Sequence, residues 1–339
     1  MKAALFRRGG HFEIAEVPTP QPGPGEVLVQ VSYCGICGSD VHLVAAGMLP
    51  SGAIIGHELS GRVAKIGPGV AGFREGDPVV VMPLDPCLAC GPCRQGNTQL
   101  CAEGTKRNYG LGLLPGAFAE FMLTKPSMLF PLPQGLDLKT AAINEPWAVA
   151  VHAVKMLALG PDSLLLVMGA GPIGLLVIYA LKQAGVRRIY VSEPDPYRAQ
   201  KAAQAGAARV INPQQQNPAV ALPQNAGRAP DLVMDCVGSK NSTQDAAAIV
   251  GPKGTVLVLG VHLATISILP LISFGKEVTF KFSLGYRQDE FGESLQLLAR
   301  GALDPQVVVS EIMPLSEIGN AFLKLRESGH TKILMDCRS

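Results

Sequence analysis

At 339 residues the chain is long enough for two domains, each burying its own core. With 47% hydrophobic and 17% charged residues it is no disordered chain. Its 29 basic and 27 acidic residues nearly cancel to a formal charge of +2, and no block of five or six like charges occurs, which argues against nucleic acid or another polyanion as partner.

The N-terminus, Met1 to Arg8, lacks the apolar core of roughly 7–15 residues that a secretory signal needs, so a cytoplasmic protein is expected. From Leu5 to about Phe130 the chain shows short β-rich runs, such as 26–31 and 77–81. Proline and glycine punctuate them at Pro22-Gly23-Pro24-Gly25 and Gly67-Pro68-Gly69, the pattern of an irregular, mostly β domain.

Two groups of metal-binding residue types lie in this half. Cys34-Gly35-Ile36-Cys37-Gly38-Ser39-Asp40-Val41-His42 is followed by Gly56-His57-Glu58, and Glu145-Pro146 stands just before the second domain. Singly each is weak, because a lone Gly-His-Glu is more often a hydrogen-bonded surface turn. Jointly, thiolate, imidazole and carboxylate form the mixed donor set of a catalytic zinc that keeps one position open. Cys87, Cys90, Cys93 and Cys101 form a C-x2-C-x2-C-x7-C cluster among Pro86, Gly91, Pro92 and Gly96. Four thiolates in tight turns close a tetrahedral shell around Zn²⁺, and cysteines so near in sequence are poorly spaced for mutual disulfides. With every position filled by protein this ion is structural. A DNA-binding zinc ribbon also uses four cysteines, but it pairs two C-x2-C knuckles about 15–20 residues apart.

Near Thr140 the texture changes. Strand-like runs at 164–168, 188–192, 231–235, 255–259 and 278–282 alternate with alanine-rich helical segments, which predicts a doubly wound parallel sheet of Rossmann type. Leu164 to Met168 leads into Gly169-Ala170-Gly171-Pro172-Ile173-Gly174 and an apolar helix. A lone G-x-G-x-x-G is weak, but strand and helix on either side supply the context of a dinucleotide pyrophosphate site. Glu193 ends the next strand, where an acidic group accepts hydrogen bonds from the adenine-ribose hydroxyls and repels a 2′-phosphate, giving NAD. Arg198, one helical turn further, complicates that preference. The segment 213–230, rich in Gln, Asn and Pro, reads as a surface connection without chemistry. Two uncharged stretches, 163–181 and 254–275, approach the length of a membrane span, but glycine, proline and polar residues interrupt both. Each reads as buried strand, turn and helix, so no membrane partner is expected.

These motifs together resemble the zinc-dependent medium-chain alcohol dehydrogenase family. Cys34 to His42 is similar to the matching stretch of its sorbitol (polyol) and butanediol branch, and the resemblance runs through the closing segment Phe282 to Asp336. It implies a GroES-like catalytic domain at 1–145, with the structural zinc lobe at 86–102, completed by 288–339, and a dinucleotide-binding domain at 146–287. It implies two zinc ions per chain and NAD as cofactors, with Cys37 and His57 as catalytic-zinc ligands. Glu145 takes the place of the second cysteine ligand of liver-type enzymes, while Glu58 either binds zinc directly or orients the shell. Ser39 would hydrogen-bond the reacting oxygen and His42 finish a proton relay to solvent; the rival readings are a helix-capping serine and an exposed helical histidine. Cys34 is left to packing, and Cys236 and Cys337 read as plain thiols.

The implied activity is EC 1.1.1.-, in which zinc acts as a Lewis acid on a secondary hydroxyl of a small polyol, sugar or vicinal diol and hydride passes to NAD. A homodimer or homotetramer is implied as well. Sorbitol dehydrogenases carry an arginine after the last cofactor-domain strand; here Phe282-Ser283-Leu284-Gly285-Tyr286-Arg287 sets glycine at its place, which argues against sorbitol itself. Three alternatives stand: a threonine-type zinc dehydrogenase of the same family, a zinc-free quinone reductase, and a non-catalytic metal-stapled binding protein.

Overall fold

The computed structural model describes residues 1–338. The chain divides into two compact units, Met1–Ala148 with Tyr286–Gly301 and Val309–Ser339, and Val149–Gly285 with Ala302–Val308. The second unit thus recruits a short piece, Ala302–Val308, from the region expected to complete the first.

The first unit opens with a hairpin, β1 (Lys2–Arg7) and β2 (His11–Glu16), turned by Gly9 and Gly10 at φ +94° and +79°. The strands β3 (Val27–Gly35), β4 (Glu58–Ile66), β5 (Pro78–Val81), β6 (Phe121–Thr124) and β7 (Leu129–Pro131) follow, all antiparallel to their neighbours. In β3 the run Val27-Leu28-Val29 and Val31 is buried while Gln30 is exposed, so most of the strand is covered. The core gathers Val29, Val31, Leu59, Val79, Val81 and Phe118.

In the second unit β8 (Leu164–Met168), β9 (Arg188–Ser192), β10 (Arg209–Ile211), β11 (Leu232–Asp235), β12 (Thr255–Val258) and β13 (Thr279–Phe282) form one parallel sheet in the order β10-β9-β8-β11-β12-β13. Leu164, Leu165, Leu166 and Val167 are 0% exposed, the continuous apolar run that a strand covered on both faces requires. Strand order reverses beside β8, and in such sheets ligands bind at the carboxyl ends of the strands flanking the reversal. The helix Pro172–Gln183 follows β8 and is buried from Gly174 to Leu181.

The uncharged stretch 163–181 is therefore the buried strand, turn and helix expected. The stretch 254–275 is not: after β12 it leaves a helix, Pro270–Phe274, with no buried residue, and Leu271 and Phe274 are 73% and 82% exposed. No helix among the described residues is long and apolar enough to cross a membrane. Finally β14 (Val309–Pro314) and β15 (Lys332–Asp336) return to the first unit, where β15 pairs antiparallel with β3.

Candidate active site

Three strands of the first unit converge on a buried polar cluster. The end of β3 delivers Cys37, the start of β4 delivers His57 and Glu58, and β15, paired to β3 on the other side, delivers Lys332. Gly56, at φ +99°, makes the bend before His57, and a Cβ there would stand 2.9 Å from Cys34 Sγ and from the Phe118 ring. Ligand atoms of Cys37, His57 and Glu58 all lie within 4.8 Å of one another.

Asp40, fully buried, organises this trio. One of its oxygens accepts the Cys37 backbone N–H at 2.9 Å, and the other lies 3.5 Å from His57 Nδ1. Burial works against a charged imidazole, yet the Asp40 carboxylate raises His57 well above its ordinary value. A carboxylate behind one ring nitrogen fixes the ring and leaves the other for a metal. Neither Asp40 Oδ1 nor His57 Nδ1 has any further hydrogen-bond partner among the described residues.

Glu58 is held differently. Lys332 Nζ donates to both its carboxylate oxygens, at 2.7 and 2.6 Å, and to Ile36 O at 2.9 Å. Both side chains are buried, at 2% and 0% exposure. Glu145 stands beside the trio rather than within it. It sits at the start of the helix Asn144–Lys155, pinned by Asn144 Nδ2 to Phe291 O and by Trp147 Nε1 to Ser294 O, both 3.1 Å. Burial and the Glu58 charge push its carboxyl up to about 7, against the opposing pull of His57 and of the Tyr286 hydroxyl that bonds it. Two carboxylates, a thiol and an imidazole, buried or half-buried together with one buried lysine, fit a divalent cation, which neutralises what the protein alone leaves unbalanced.

Ser39 and His42 lie on the helix Gly38–Ala45, whose cap is Cys37, so Ser39 is inside the first turn and does not cap it. Ser39 is partly covered and His42 exposed.

The four cysteines Cys87, Cys90, Cys93 and Cys101 form the second cluster, their sulfurs mutually within 4.8 Å. Cys87 and Cys93 sulfurs are 4.0 Å apart, close to the ~3.8 Å that tetrahedral geometry with 2.3 Å bonds imposes on two thiolates of one zinc. Backbone N–H groups of Ala89 and Cys90 pull the Cys87 thiol down to about 6, whereas burial pushes Cys93 up to about 12. Four adjacent sulfurs ionise together only around a cation.

In the second unit a cavity of about 810 Å³ opens at the carboxyl end of β8. Gly169 takes φ +85°, a Cβ on Gly174 would fall 1.9 Å from Gly169 O, and one on Gly171 would meet nothing within 4 Å. The first position therefore needs the left-handed turn and the third the close helix–strand approach, while the middle one lies open. Gly171 caps the helix, with Pro172 and Ile173 as its first two residues. Glu193, 5% exposed, lines the cavity, but its oxygens already accept Ala170 N–H at 2.6 Å and Asp195 N–H at 2.8 Å. Arg198 lines the cavity as well, its backbone N–H bonded to Asp195 at 2.8 Å. The segment read as featureless surface turns out to line the cavity, from Pro213 to Ala219, as does Cys236, just past the end of β11 rather than in it.

Comparison with known proteins bears on both units. Residues 23–134 match the alcohol dehydrogenase GroES-like domain and residues 172–300 the zinc-binding dehydrogenase domain. A 2-dehydro-3-deoxy-L-galactonate 5-dehydrogenase of Pseudoalteromonas atlantica is 34% identical over 344 residues, covering 100% of this chain and 99% of its own. The chain belongs to the zinc-dependent medium-chain alcohol dehydrogenase family. Among solved structures, 2R,3R-butanediol dehydrogenase from Bacillus subtilis superposes with a TM-score of 0.88 at 32% identity, and an Escherichia coli CFT073 alcohol dehydrogenase complexed with NADH with 0.90 at 26%; each alignment covers 99% of both chains. The family is a zinc-binding one, and NADH is the cofactor held in the Escherichia coli structure.

Three residues of the dehydrogenase's metal cluster escape a linear reading. Asp40 sits inside a quoted motif, yet nothing in spacing marks it as the partner of His57. Tyr286 and Lys332 lie 141 and 274 positions from the glutamates they hold. A buried lysine in the apolar context Ile333-Leu334-Met335 was the one available signal.

Proposed function

We propose that the enzyme transfers hydride between NAD(H) and the secondary hydroxyl of a small polyol, sugar or vicinal diol, with zinc held by Cys37, His57 and one carboxylate, that of Glu58 or of Glu145, so that one position stays open, and a second zinc held by the four-cysteine lobe. The observation that carries this reading is the thiol–imidazole–carboxylate trio, His57 and Glu58 buried and Cys37 half-buried, its ligand atoms within 4.8 Å, with a second carboxylate beside it. When bound there, zinc supplies Lewis-acid polarisation of the substrate oxygen. Asp40 keeps His57 in the tautomer that presents its far nitrogen. Ser39 would hydrogen-bond the reacting oxygen and relay its proton by releasing its own hydroxyl proton as it accepts one, and His42, exposed on the same helix, would pass a proton to water; NAD⁺, when bound, would supply the hydride acceptor. The glycine turn and Pro172, Ile173 receive the pyrophosphate, and Glu193, with Arg198 at its rim, sets NAD⁺ ahead of NADP⁺.

The substrate class draws support from the relatives named for butanediol, sorbitol and a deoxygalactonate, and from Glu145 itself. A carboxylate accepts a hydrogen bond from a second substrate hydroxyl, which a simple alcohol lacks. The test is NAD⁺ reduction across vicinal diols, polyols, sugar acids, threonine and ethanol. A diol or polyol should exceed ethanol in kcat/KM at least about tenfold, roughly 1.4 kcal/mol of discrimination; equal constants, or threonine as the sole good substrate, would overturn the class.

Two coarser readings complete the proposal. None of the eight cysteines is joined in a disulfide, in keeping with a reducing cytoplasm, and recovery of the protein outside it on fractionation would contradict this. The chain assembles as a homodimer or homotetramer: β13 is the edge of its sheet, and Leu271, Phe274 and Phe282 beside it are 63–82% exposed. Light scattering tests that.

A further inference from the structure

We propose that Lys276 is a positioning residue for cofactor binding: it caps the helix Ser242–Ile249, which with its leading turn lines the adenosine side of the cavity, and so sets the affinity for the dinucleotide. The inference rests on the cofactor reading above and adds what holds that helix in place.

The cavity lined by Gly169, Gly171 and Glu193 is lined as well by Val237, Ser239, Ser242, Asp245, Ala248 and Ile249, all on this helix or in the turn that leads into it. The glycines and Glu193 are the residues read as taking the pyrophosphate and the adenine ribose, so the helix borders the adenosine half of the ligand. Eight residues make a helix too short to stand alone in water. Its buried side chains are Ser242, Thr243, Ala246, Ala247 and Ile249, of which only the last is large and apolar, so packing contributes little per residue. Polar clamps hold its two ends instead.

At the N-terminal end, one oxygen of buried Asp235 accepts from Ser242 Oγ at 2.8 Å and Thr243 Oγ1 at 3.0 Å; the other accepts the backbone N–H groups of Val237 and Gly238 at 3.1 and 3.3 Å. At the C-terminal end, Lys276 Nζ donates to Ala248 O at 2.6 Å, Val250 O at 2.9 Å and Ala247 O at 3.3 Å. A helix leaves its last carbonyls without internal partners, and a cation is favoured at that pole. The lysine comes from the segment 269–277, whose helix Pro270–Phe274 has no buried residue. Hydrogen bonds fasten this segment: Leu269 N–H to Gln244 Oε1, again on the clamped helix, and Lys253 N–H to Lys276 O, both at 2.6 Å. Neither Asp235 nor Lys276 lines the cavity, so each acts on the ligand through the helix. With the cap lost, the helix end is in place in a smaller fraction of molecules, and the apparent dissociation constant rises by the inverse of that fraction.

The test is calorimetric binding of ADP-ribose, which carries the adenosine and pyrophosphate without the nicotinamide, to the zinc-loaded protein. Lys276→Met should raise its dissociation constant about fivefold or more. Lys276→Arg, which keeps a cation with several donors at the helix end, should bind within about twofold of wild type. Lys253→Met removes a nearby lysine whose side chain pairs with exposed Glu277 at 3.7 Å, and should leave the constant unchanged. Where Lys276→Met does not fold, Gln244→Leu decides: it unfastens the same segment at its other end and should raise the constant about twofold or more. Wild-type affinity in folded Lys276→Met, arginine no better than methionine, or Lys253→Met as weak as Lys276→Met overturns the role of Lys276, as does wild-type affinity in Gln244→Leu where that variant decides. A wild-type protein that binds no ADP-ribose would instead remove the cofactor reading on which the inference stands.

Discussion

In the proposed function Glu193 carries two duties. Its position after β9 was legible from spacing alone, as the acidic residue that follows a glycine turn at the end of the next strand. Its second duty was not, because it depends on where backbone N–H groups point: Ala170 in the turn and Asp195 at the next helix cap both donate to it. Glutamine offers one acceptor oxygen and one NH₂, so Glu193→Gln leaves one of these donors facing another donor. An unmet buried N–H costs about 1–3 kcal/mol. The expected outcome is a KM for NAD⁺ raised several-fold, a smaller change for NADP⁺, and hence a narrowed ratio of specificity constants. A wild type that already prefers NADP⁺, or a variant with an unchanged ratio, would show that Glu193 does not set the preference. Asp40, Tyr286 and Lys332 mark the limit of reading at this scale: pairing by hydrogen bond needs the sheet closed, and a chain of letters does not say which strand lies beside β3.

Elements with strong periodicity or punctuation could be read directly. The five strands expected in the second unit are present to within a residue or so, because runs such as Leu164–Met168 are buried on both faces and bounded by glycine or proline. The strand β10 has three residues, running from exposed Arg209 through half-buried Val210 to buried Ile211, too little pattern to register. The stretch 254–275 misled for a different reason. Apolar content says that a segment wants cover but not what covers it, and Pro270–Phe274 carries its leucine and phenylalanine outward within the single chain. A second copy of the chain is the expected cover. Leu271→Glu/Phe274→Glu should convert the assembled protein to monomer in light scattering while NADH binding persists, since neither side chain lines the cofactor cavity. An unchanged mass would place the contact elsewhere.

Across the whole molecule, two candidate zinc sites of opposite kind are legible in the sequence because ligand types and their spacing survive without the fold. The four-cysteine lobe is local, spanning 15 positions, and was complete in the sequence. The catalytic set draws on β3, β4 and the helix Asn144–Lys155, and its supporting shell reaches β15 at the far end of the chain. Loss of the lobe's metal should therefore act on stability: Cys90→Ser is expected to lower the melting temperature by several degrees. Loss of the open site should act on chemistry. The most direct measurement is zinc content per chain alongside turnover, in wild type and in Cys37→Ser. Wild type should hold two zinc ions; Cys37→Ser should keep one, bind NADH about as wild type does, and lose turnover by about a thousandfold or more, the several kcal/mol of charge stabilisation that a metal supplies. Full activity in a protein holding a single zinc ion would contradict the account.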